Sequence, residues 1–203
     1  MRDRMMCGRI VALGLVAALA ACGPKVREAP GPGTTSGIAP DLRGRRVMVL
    51  PVQQNLGVRG DPDAELAFGL GERSAGVDWV LPAEVQERLA RAPGVPTNLR
   101  GLPVSPFLQA EVQRVGDPLY GDLRRLAALV NAEAVLLPVQ VALASEGDAD
   151  PTVVFWTALI EIRSGRVLWF SVLEGDPAPA GDPRGLASAA EVVTRTMLWY
   201  SAS

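Results

Sequence analysis

Thr152–Glu174 reads TVVFWTALIEIRSGRVLWFSVLE, and its spacing decides the fold. In Thr152–Arg163, Val154, Trp156, Ala158, Ile160 and Ile162 occupy alternate positions, the period of two that places side chains on one face of a strand. The opposite face turns polar at Thr157, Glu161 and Arg163, so one face is buried and the other partly covered. Ser164-Gly165 breaks the run, and Arg166–Glu174 resumes it. Glycine supplies the positive φ that a short hairpin turn needs, so the stretch predicts an antiparallel hairpin.

Working outward, Ala134–Ala144 (AVLLPVQVALA) reads as a strand in which Pro138 demands an edge position or a bulge. Before it, Asp117-Pro118 opens a helix over Pro118–Asn131, with Leu119, Leu123, Leu126, Ala127 and Val130 on one stripe and Arg124 and Arg125 off it. After the hairpin, Asp176–Gly185 is a loop, and Leu186–Tyr200 is a helix whose core stripe is Leu186, Ala190, Val193 and Met197. Toward the amino terminus, Arg45–Gln53 holds the unbroken apolar run Val47–Leu50, expected of a strand buried on both faces. Asp61–Glu72 is a helix candidate weakened by Gly69 and Gly71. Val77–Leu81 is a short strand leading into a helix over Pro82–Arg91, with Leu81, Val85 and Leu89 on one face. A proline-rich loop, Ala92–Val104, precedes a cap and first turn at Ser105-Pro106 for a short helix bearing Leu108, Val112 and Val115. Setting aside that short turn, the order is β-α-β-α-α-β-β-β-α. The expected class is α/β, an α+β mixed sheet with helices packed on it as a single three-layer or two-layer domain closed by a β-hairpin and a helix.

At 203 residues, 48% hydrophobic and 21% charged, the chain suits one domain with a substantial core, and its 17 prolines and 21 glycines imply generous loops. With 22 acidic and 20 basic side chains, the net charge of −2 gives no electrostatic reason to expect nucleic acid as a partner. There is no histidine, one lysine (Lys25), and two cysteines, Cys7 and Cys22. That removes Ser-His-Asp and Cys-His nucleophile pairs, histidine-bearing zinc sites and an imidazole switch near neutral pH.

Arg2, Arg4 and Arg9 precede the ten-residue apolar run Ile10–Leu19, which is the pattern of a signal peptide. The run falls short of the roughly 20 apolar residues of a membrane-spanning helix. It ends in Leu19-Ala20-Ala21-Cys22-Gly23, which resembles the lipobox of bacterial lipoproteins at every position. The resemblance implies diacylglycerol on the Cys22 sulfur, cleavage before Cys22 and acylation of the new amino group. Each buried methylene contributes about 0.8 kcal/mol and stable anchoring takes more than one chain, so a multiply acylated cysteine would hold a domain on a bilayer. Gly23 is not the aspartate of the best-known inner-membrane retention rule, which implies the periplasmic side of the outer membrane. The mature chain then carries 17 basic and 21 acidic residues and no free thiol. Residues 23–40 hold Pro24, Pro30, Pro32 and Pro40, which forbid a helix or central strand and predict a flexible tether. The expected organisation is a signal peptide over 1–21, lipidated Cys22 and tether over 22–40, and a periplasmic α/β domain over 41–203.

An early VMVLPV strand (47–52), the strand-to-helix step VDWVLPAEVQERL (77–89), NAEAVLLPVQV (131–141) and the hairpin EIRSGRVLWF (161–170) together resemble the CsgG-type superfamily. That group includes the curli secretion-channel lipoprotein, the amino-terminal domain of the Tol-system propeller protein and the lipoproteins that activate penicillin-binding proteins. The likeness spans roughly residues 45–200 by pattern and order. Its most specific piece is the hairpin, where family members often carry an Asp-x-x-Thr-Gly-x-Val-x-Trp-like run. Glu161, Ser164, Gly165, Val167 and Trp169 stand in those places, with conservative departures at the acidic and hydroxyl positions. These positions are architectural, so the resemblance implies a fold and no catalytic residue. A membrane barrel needs further strands of about 9–11 residues with apolar-polar alternation, and no unused stretch has them.

Gly69-Leu70-Gly71 and Gly76 have neither the GxGxxG spacing nor the Lys-Ser/Thr end of a phosphate loop. There is no GxSxG or SxxK run, which argues against a serine hydrolase. Glu146, Asp148 and Asp150 cluster in EGDADP but lack the length and terminal glutamate of a calcium loop, so no metal is expected. Nothing sets two carboxylates at a glycosidase separation. Trp79, Trp156, Trp169 and Trp199 are read as core. The loop 92–108 offers Leu99, Leu102, Val104 and Phe107 as partner contacts, with packing onto the core as the equal alternative. The leading expectation is a non-enzymatic, outer-membrane-anchored periplasmic lipoprotein without cofactor other than the lipid on Cys22. It would bind other envelope proteins or itself in envelope assembly or maintenance. The alternatives are a subunit of an oligomeric secretion assembly and a small-ligand or carbohydrate-active envelope protein.

Overall fold

The computed structural model describes residues 34–73, 76–95, 98–145 and 147–201; the expected signal peptide and the lipobox with Cys22 lie outside these. In chain order the elements are β1 (Thr35–Ser36), β2 (Arg46–Val49), β3 (Gln54–Leu56), α1 (Pro62–Glu72), β4 (Asp78–Val80), α2 (Pro82–Ala90), α3 (Ser105–Gln109), α4 (Leu119–Val130), β5 (Ala134–Ala144), β6 (Thr152–Glu161), β7 (Val167–Glu174) and α5 (Pro183–Met197). A 3-10 turn follows at Trp199–Ser201. One mixed seven-stranded sheet runs β1-β7-β6-β5-β2-β4, with β3 also paired to β5. The pairings β5–β6, β6–β7 and β1–β7 are antiparallel, whereas β2 lies parallel to β4 and β5, and β3 parallel to β5.

The hairpin forms as its alternation predicts. Gly165 takes φ 70° at the turn, and a Cβ there would come within 3.0 Å of the Tyr120 ring and 3.2 Å of the Val115 carbonyl, so any other residue would be strained and would have to displace Tyr120. Ser164 Oγ donates to Glu161 Oε2 and accepts from the Arg166 N–H, which closes the turn.

Strand β5 is central, and the proline is accommodated by the bulge that the sequence allowed. Residues 134–136 pair with β2 and residues 140–142 with β3, so Pro138, which has no backbone donor, falls where one neighbour gives way to the other. The bulge reverses the parity of the strand. Val135, Leu137 and Val139 pack on one face, while Val141 joins Ala134 and Leu136 on the other.

Of the two layer arrangements the sequence permits, the chain adopts three layers. Helices α1 and α5 cover one face through Leu66, Leu70, Leu186, Ala189, Ala190, Val193 and Met197. Helices α2 and α4 cover the other through Val85, Leu119, Leu123, Leu126, Ala127 and Val130. The helix over 61–72 forms despite its glycines: Asp61 caps it by accepting from the Asp63 and Ala64 N–H groups, and Gly69 lets Thr194 of α5 approach to 3.0 Å of where a Cβ would stand. The Gly-Leu-Gly run is therefore a helix-packing feature.

Several details depart from expectation. Leu81 is the extended cap of α2, so it packs with the α1/α5 face instead of sharing a stripe with Val85 and Leu89. The short helix is capped from Val104 and stops at Gln109, leaving Val112 and Val115 in the following segment. Residues 34–40 are not free tether. Thr35 and Ser36 pair with Ser171 and Phe170, the Val172 N–H donates to Thr34 O, and Ala39 is buried. A two-residue edge strand needs only backbone groups, which is compatible with the prolines on either side.

Thr157 and Ser171 face each other across β6 and β7, fully buried, and neither hydroxyl has a hydrogen-bond partner.

Candidate functional site

The loop after α2 is built inward. Leu99, Leu102, Val104 and Phe107 are between 1% and 7% exposed, and all four belong to the core on the α2/α4 face. The partner-contact reading of these residues is corrected: their side chains are spent on packing, and Phe107 stacks on Phe170 with ring centroids 5.8 Å apart. Arg100, Gly101, Pro103, Ser105 and Pro106 between them are exposed. No period of two or 3.6 marks which side of an irregular loop turns inward, so the sequence could not choose.

Polar side chains fasten this loop to the segment between β2 and β3. Gln53 Nε2 donates to Leu99 O at 2.9 Å, and its Oε1 accepts from the Leu102 N–H at 3.0 Å. Asp63, at the start of α1, accepts from the Val52 N–H at 2.6 Å and from Arg100 Nη2 at 2.5 Å, while Arg100 Nη1 donates to Val52 O. One glutamine thus reads two backbone groups as a strand would, and an aspartate and an arginine lock the loop against α1.

Recesses open on the surface among the described residues. One of about 300 Å³ lies between α3 and the segment 112–119, lined by Pro103, Pro106, Val112, Arg114 and Pro118 among others. A second, of about 390 Å³, brings Asp150 and Asp176 together with Arg184; Asp176 Oδ2 already accepts from Ser188 Oγ at 2.8 Å. The third, of about 440 Å³, runs between α1 and α5 and holds Phe68, which is 68% exposed, beside Glu65, Arg73 and Glu191. Arg73 Nη2 and Glu191 Oε1 are paired at 3.0 Å across that groove. Among the described residues no group of three or more His, Cys, Asp or Glu is placed to hold a metal ion, and no helix is long and apolar enough to cross a membrane. Asp148 falls in a turn and Asp150 just after it; Glu146 lies outside the described residues.

A different surface forms where residues 34–40 meet the end of α5. Trp199, read from the sequence as core, is 55% exposed, because α5 ends at Met197 and the 3-10 turn rotates the next side chain outward after buried Leu198. Its indole N–H donates to Ala39 O at 2.9 Å, and its ring meets Tyr200 edge-on. Ile38, next to Ala39, is 83% exposed. Tyr200 accepts from the Leu42 N–H at 3.1 Å, and burial pushes its phenol pKa up. Arg43 stands 5.3 Å over the Tyr200 ring and is paired with Asp41, whose carboxyl its guanidinium holds below the usual range. Trp79 and Trp156 are half-buried and Trp169 is fully buried, as expected.

Fold and surfaces together define a three-layer α/β domain on a mixed sheet, with its edge closed by the segment that leads in from residue 34. No protein-family model matches the sequence, and no curated protein matches it. Solved structures resemble it. The carboxy-terminal domain of LpoB from Salmonella enterica is 13% identical, with 66% of this chain and 84% of that one covered and a TM-score of 0.40. The PelC dodecamer from Paraburkholderia phytofirmans is 18% identical, with 81% and 96% covered and a TM-score of 0.40. Lipoprotein GNA1162 from Neisseria meningitidis is 16% identical, with 74% and 96% covered and a TM-score of 0.41. Proteins similar to this chain thus include a bacterial lipoprotein by name, but likenesses of this strength assign it no function. Membership of the CsgG-type superfamily is not shown by them.

Proposed function

We propose that this chain is a lipoprotein anchored in the outer membrane of a bacterial envelope and facing the periplasm. Its α/β domain acts without catalysis by binding other envelope proteins, or itself, in envelope assembly or maintenance. The observation that carries the reading is Leu19-Ala20-Ala21-Cys22-Gly23, which follows a basic segment and a ten-residue apolar run. Acyl chains on Cys22 would supply the anchor. Absence of histidine and of any cysteine after Cys22 fits a domain whose work is contact. For the partner-binding part, the supporting feature is the α1/α5 groove with exposed Phe68, since a large apolar side chain left in water beside paired charges is a common form of interface.

Cells expressing the full chain and its Cys22→Ser variant, grown with radioactive palmitate, test the anchor. The parent is expected to carry label and to sediment with outer membrane on a density gradient. Equal labelling of the variant, or recovery of the labelled parent in inner membrane, would overturn that part. Proximity labelling in the native envelope tests the partner: defined envelope proteins should be recovered and should drop out with Phe68→Ser. An unchanged set with that variant removes the groove from the proposal.

A further inference from the structure

We propose that Ile38 and Trp199 form a lipid-contacting patch that seats the domain directly on the bilayer holding its acyl chains. This rests on the lipid-anchored reading above and adds a second, non-covalent contact to it.

Four large apolar side chains are exposed among the described residues: Ile38, Leu56, Phe68 and Trp199. Two of the four lie in the same part of the fold, because the Trp199 indole donates to the carbonyl of Ala39, the residue after Ile38. Both are held by the fold. At Gly37, with φ 78°, the backbone is pressed so close to β7 that a Cβ would stand 2.8 Å from Leu168 O, and Ala39 is buried on the other side of Ile38. Ile38 is thereby fixed outward at the edge of the sheet. Trp199 has no polar group left for water or for a protein acceptor, since its only donor is already used within the chain. What it presents is ring surface, the chemistry for which tryptophan collects at membrane–water interfaces.

The position of the patch argues for a bilayer as its occupant. Eleven residues, 23–33, separate Cys22 from Thr34, and Ile38 follows Thr34 by four positions. Eleven residues span at most about 40 Å fully extended and roughly 17–20 Å as a flexible coil. A lipid-anchored Cys22 therefore keeps this end of the domain at the membrane surface, and tethering strengthens a contact that binds weakly on its own. The rim is mixed in charge. Arg43 and Arg45 stand beside Asp41, and Arg195 lies one helical turn before Trp199, 4.0 Å from Glu191, which also pairs with Arg73. Such a rim asks for no strongly anionic surface, so apolar and aromatic insertion is the main attraction.

Two preparations test the inference separately from acylation. The acylated full chain is placed in phosphatidylcholine vesicles whose acyl chains are brominated, which quench tryptophan only on contact with the hydrocarbon. Trp199 emission, taken as the difference between the parent and Trp199→Phe, is expected to be quenched, and Ile38→Ser to lose most of that quenching. Leu56→Ser, on β3 away from the patch, is expected to leave it unchanged. The unlipidated chain from Gly23 onward retains every contact described within residues 34–201. It is expected to partition onto the same vesicles, at least tenfold more weakly with Ile38→Ser and Trp199→Ser combined, a loss of about 1.4 kcal/mol.

Acylated protein that stays on vesicles with Trp199 unquenched overturns the patch while leaving the lipoprotein reading intact. Vesicle binding that requires phosphatidylglycerol and ignores Ile38→Ser overturns it in favour of simple charge attraction. Self-association of the unlipidated chain that Ile38→Ser abolishes, with no quenching by lipid, overturns it in favour of a second copy of the chain. A chain that is never acylated, yet shows patch-dependent quenching in its unlipidated form, sinks the anchor and keeps the patch.

Discussion

Replacing Phe107 with alanine separates the two roles open to the loop between α2 and α4. Its ring is fully buried and lies on Phe170 with an interplanar angle of 18°. Loss of a buried phenylalanine to alanine costs about 3–5 kcal/mol, because the lost burial and the cavity left behind add. Of that, about 0.5–1.5 kcal/mol belongs to the aromatic pair itself. A whole domain is stable by only about 5–15 kcal/mol, so Phe107→Ala is expected to remove a large part of the margin. With a urea slope of about 2 kcal/mol per M, the unfolding midpoint should fall by roughly 2 M. The assay is urea unfolding of the unlipidated chain, followed by far-UV circular dichroism and by tryptophan emission. Arg100→Ala serves as the comparison on the same loop. Its guanidinium is mostly exposed and pairs with Asp63, so its loss should cost about 1 kcal/mol or less. A Phe107→Ala midpoint close to that of the parent, with an unchanged slope, would refute the inward packing. It would return the four apolar side chains to the role of partner anchors. Deleting residues 95–104 cannot make the same distinction, since it removes Leu99 and Leu102 from the core.

Three further perturbations have definite expected outcomes. Gly165→Ala forces an alanine into φ 70° and drives its Cβ against Tyr120, so the loss should exceed the roughly 1 kcal/mol of backbone strain alone; an unfolding midpoint within error of the parent would show that the turn relaxes freely. Thr157→Val removes a buried hydroxyl with no partner, whose desolvation costs about 1–3 kcal/mol, so stability should hold or rise; a fall of more than about 1 kcal/mol would mean that the hydroxyl is bonded. Stability should be level from about pH 5 to pH 9, as there is no histidine to titrate. The depressed carboxyls of Asp41 and Asp182 stabilise the fold above their ordinary 3.8, and that contribution is lost as pH falls through their lower folded values. Tyr200, raised by burial, stabilises as a neutral phenol below its ordinary 10.0 and loses that contribution as pH rises past it. A step in the unfolding midpoint near pH 6–7 would contradict this assignment.

The difference between what the sequence disclosed and what it withheld follows from which groups carry each interaction. The hairpin, β5, α4 and α5 announce themselves because burial repeats at two or 3.6 residues, and each residue of those stripes named from the sequence on α4 and α5 is buried. Pro138 was legible as a demand for irregularity; its resolution, a change of neighbour from β2 to β3, depends on two strands that are near one another only after folding. Thr35-Ser36 left no trace, since a strand of two small polar residues is held through its backbone and hydrophobicity cannot mark it. The loop anchors failed for a related reason. Leu99, Leu102 and Val104 are apolar in an aperiodic stretch, where composition reports a wish for burial without saying against what.

Trp199 shows the opposite error, and it bears most on the proposed bilayer contact. An aromatic residue two positions past a core methionine invites continuation of the helix, yet a single 3-10 turn suffices to expose it. Exposure of that kind is a property of the turn and not of the residue. The surface that joins Trp199 to Ile38 pairs residues 161 positions apart, brought together by an indole N–H on Ala39 O that no local pattern encodes. The proposed anchor, by contrast, rests on five consecutive residues, Leu19-Ala20-Ala21-Cys22-Gly23. On the proposed reading, a lipid-attached Cys22 would fix only where the chain begins its approach to the bilayer. Which face of the domain would then meet the lipid is decided by side chains the fold leaves uncovered, so under the proposal orientation is a tertiary property while the anchor is a property of the sequence.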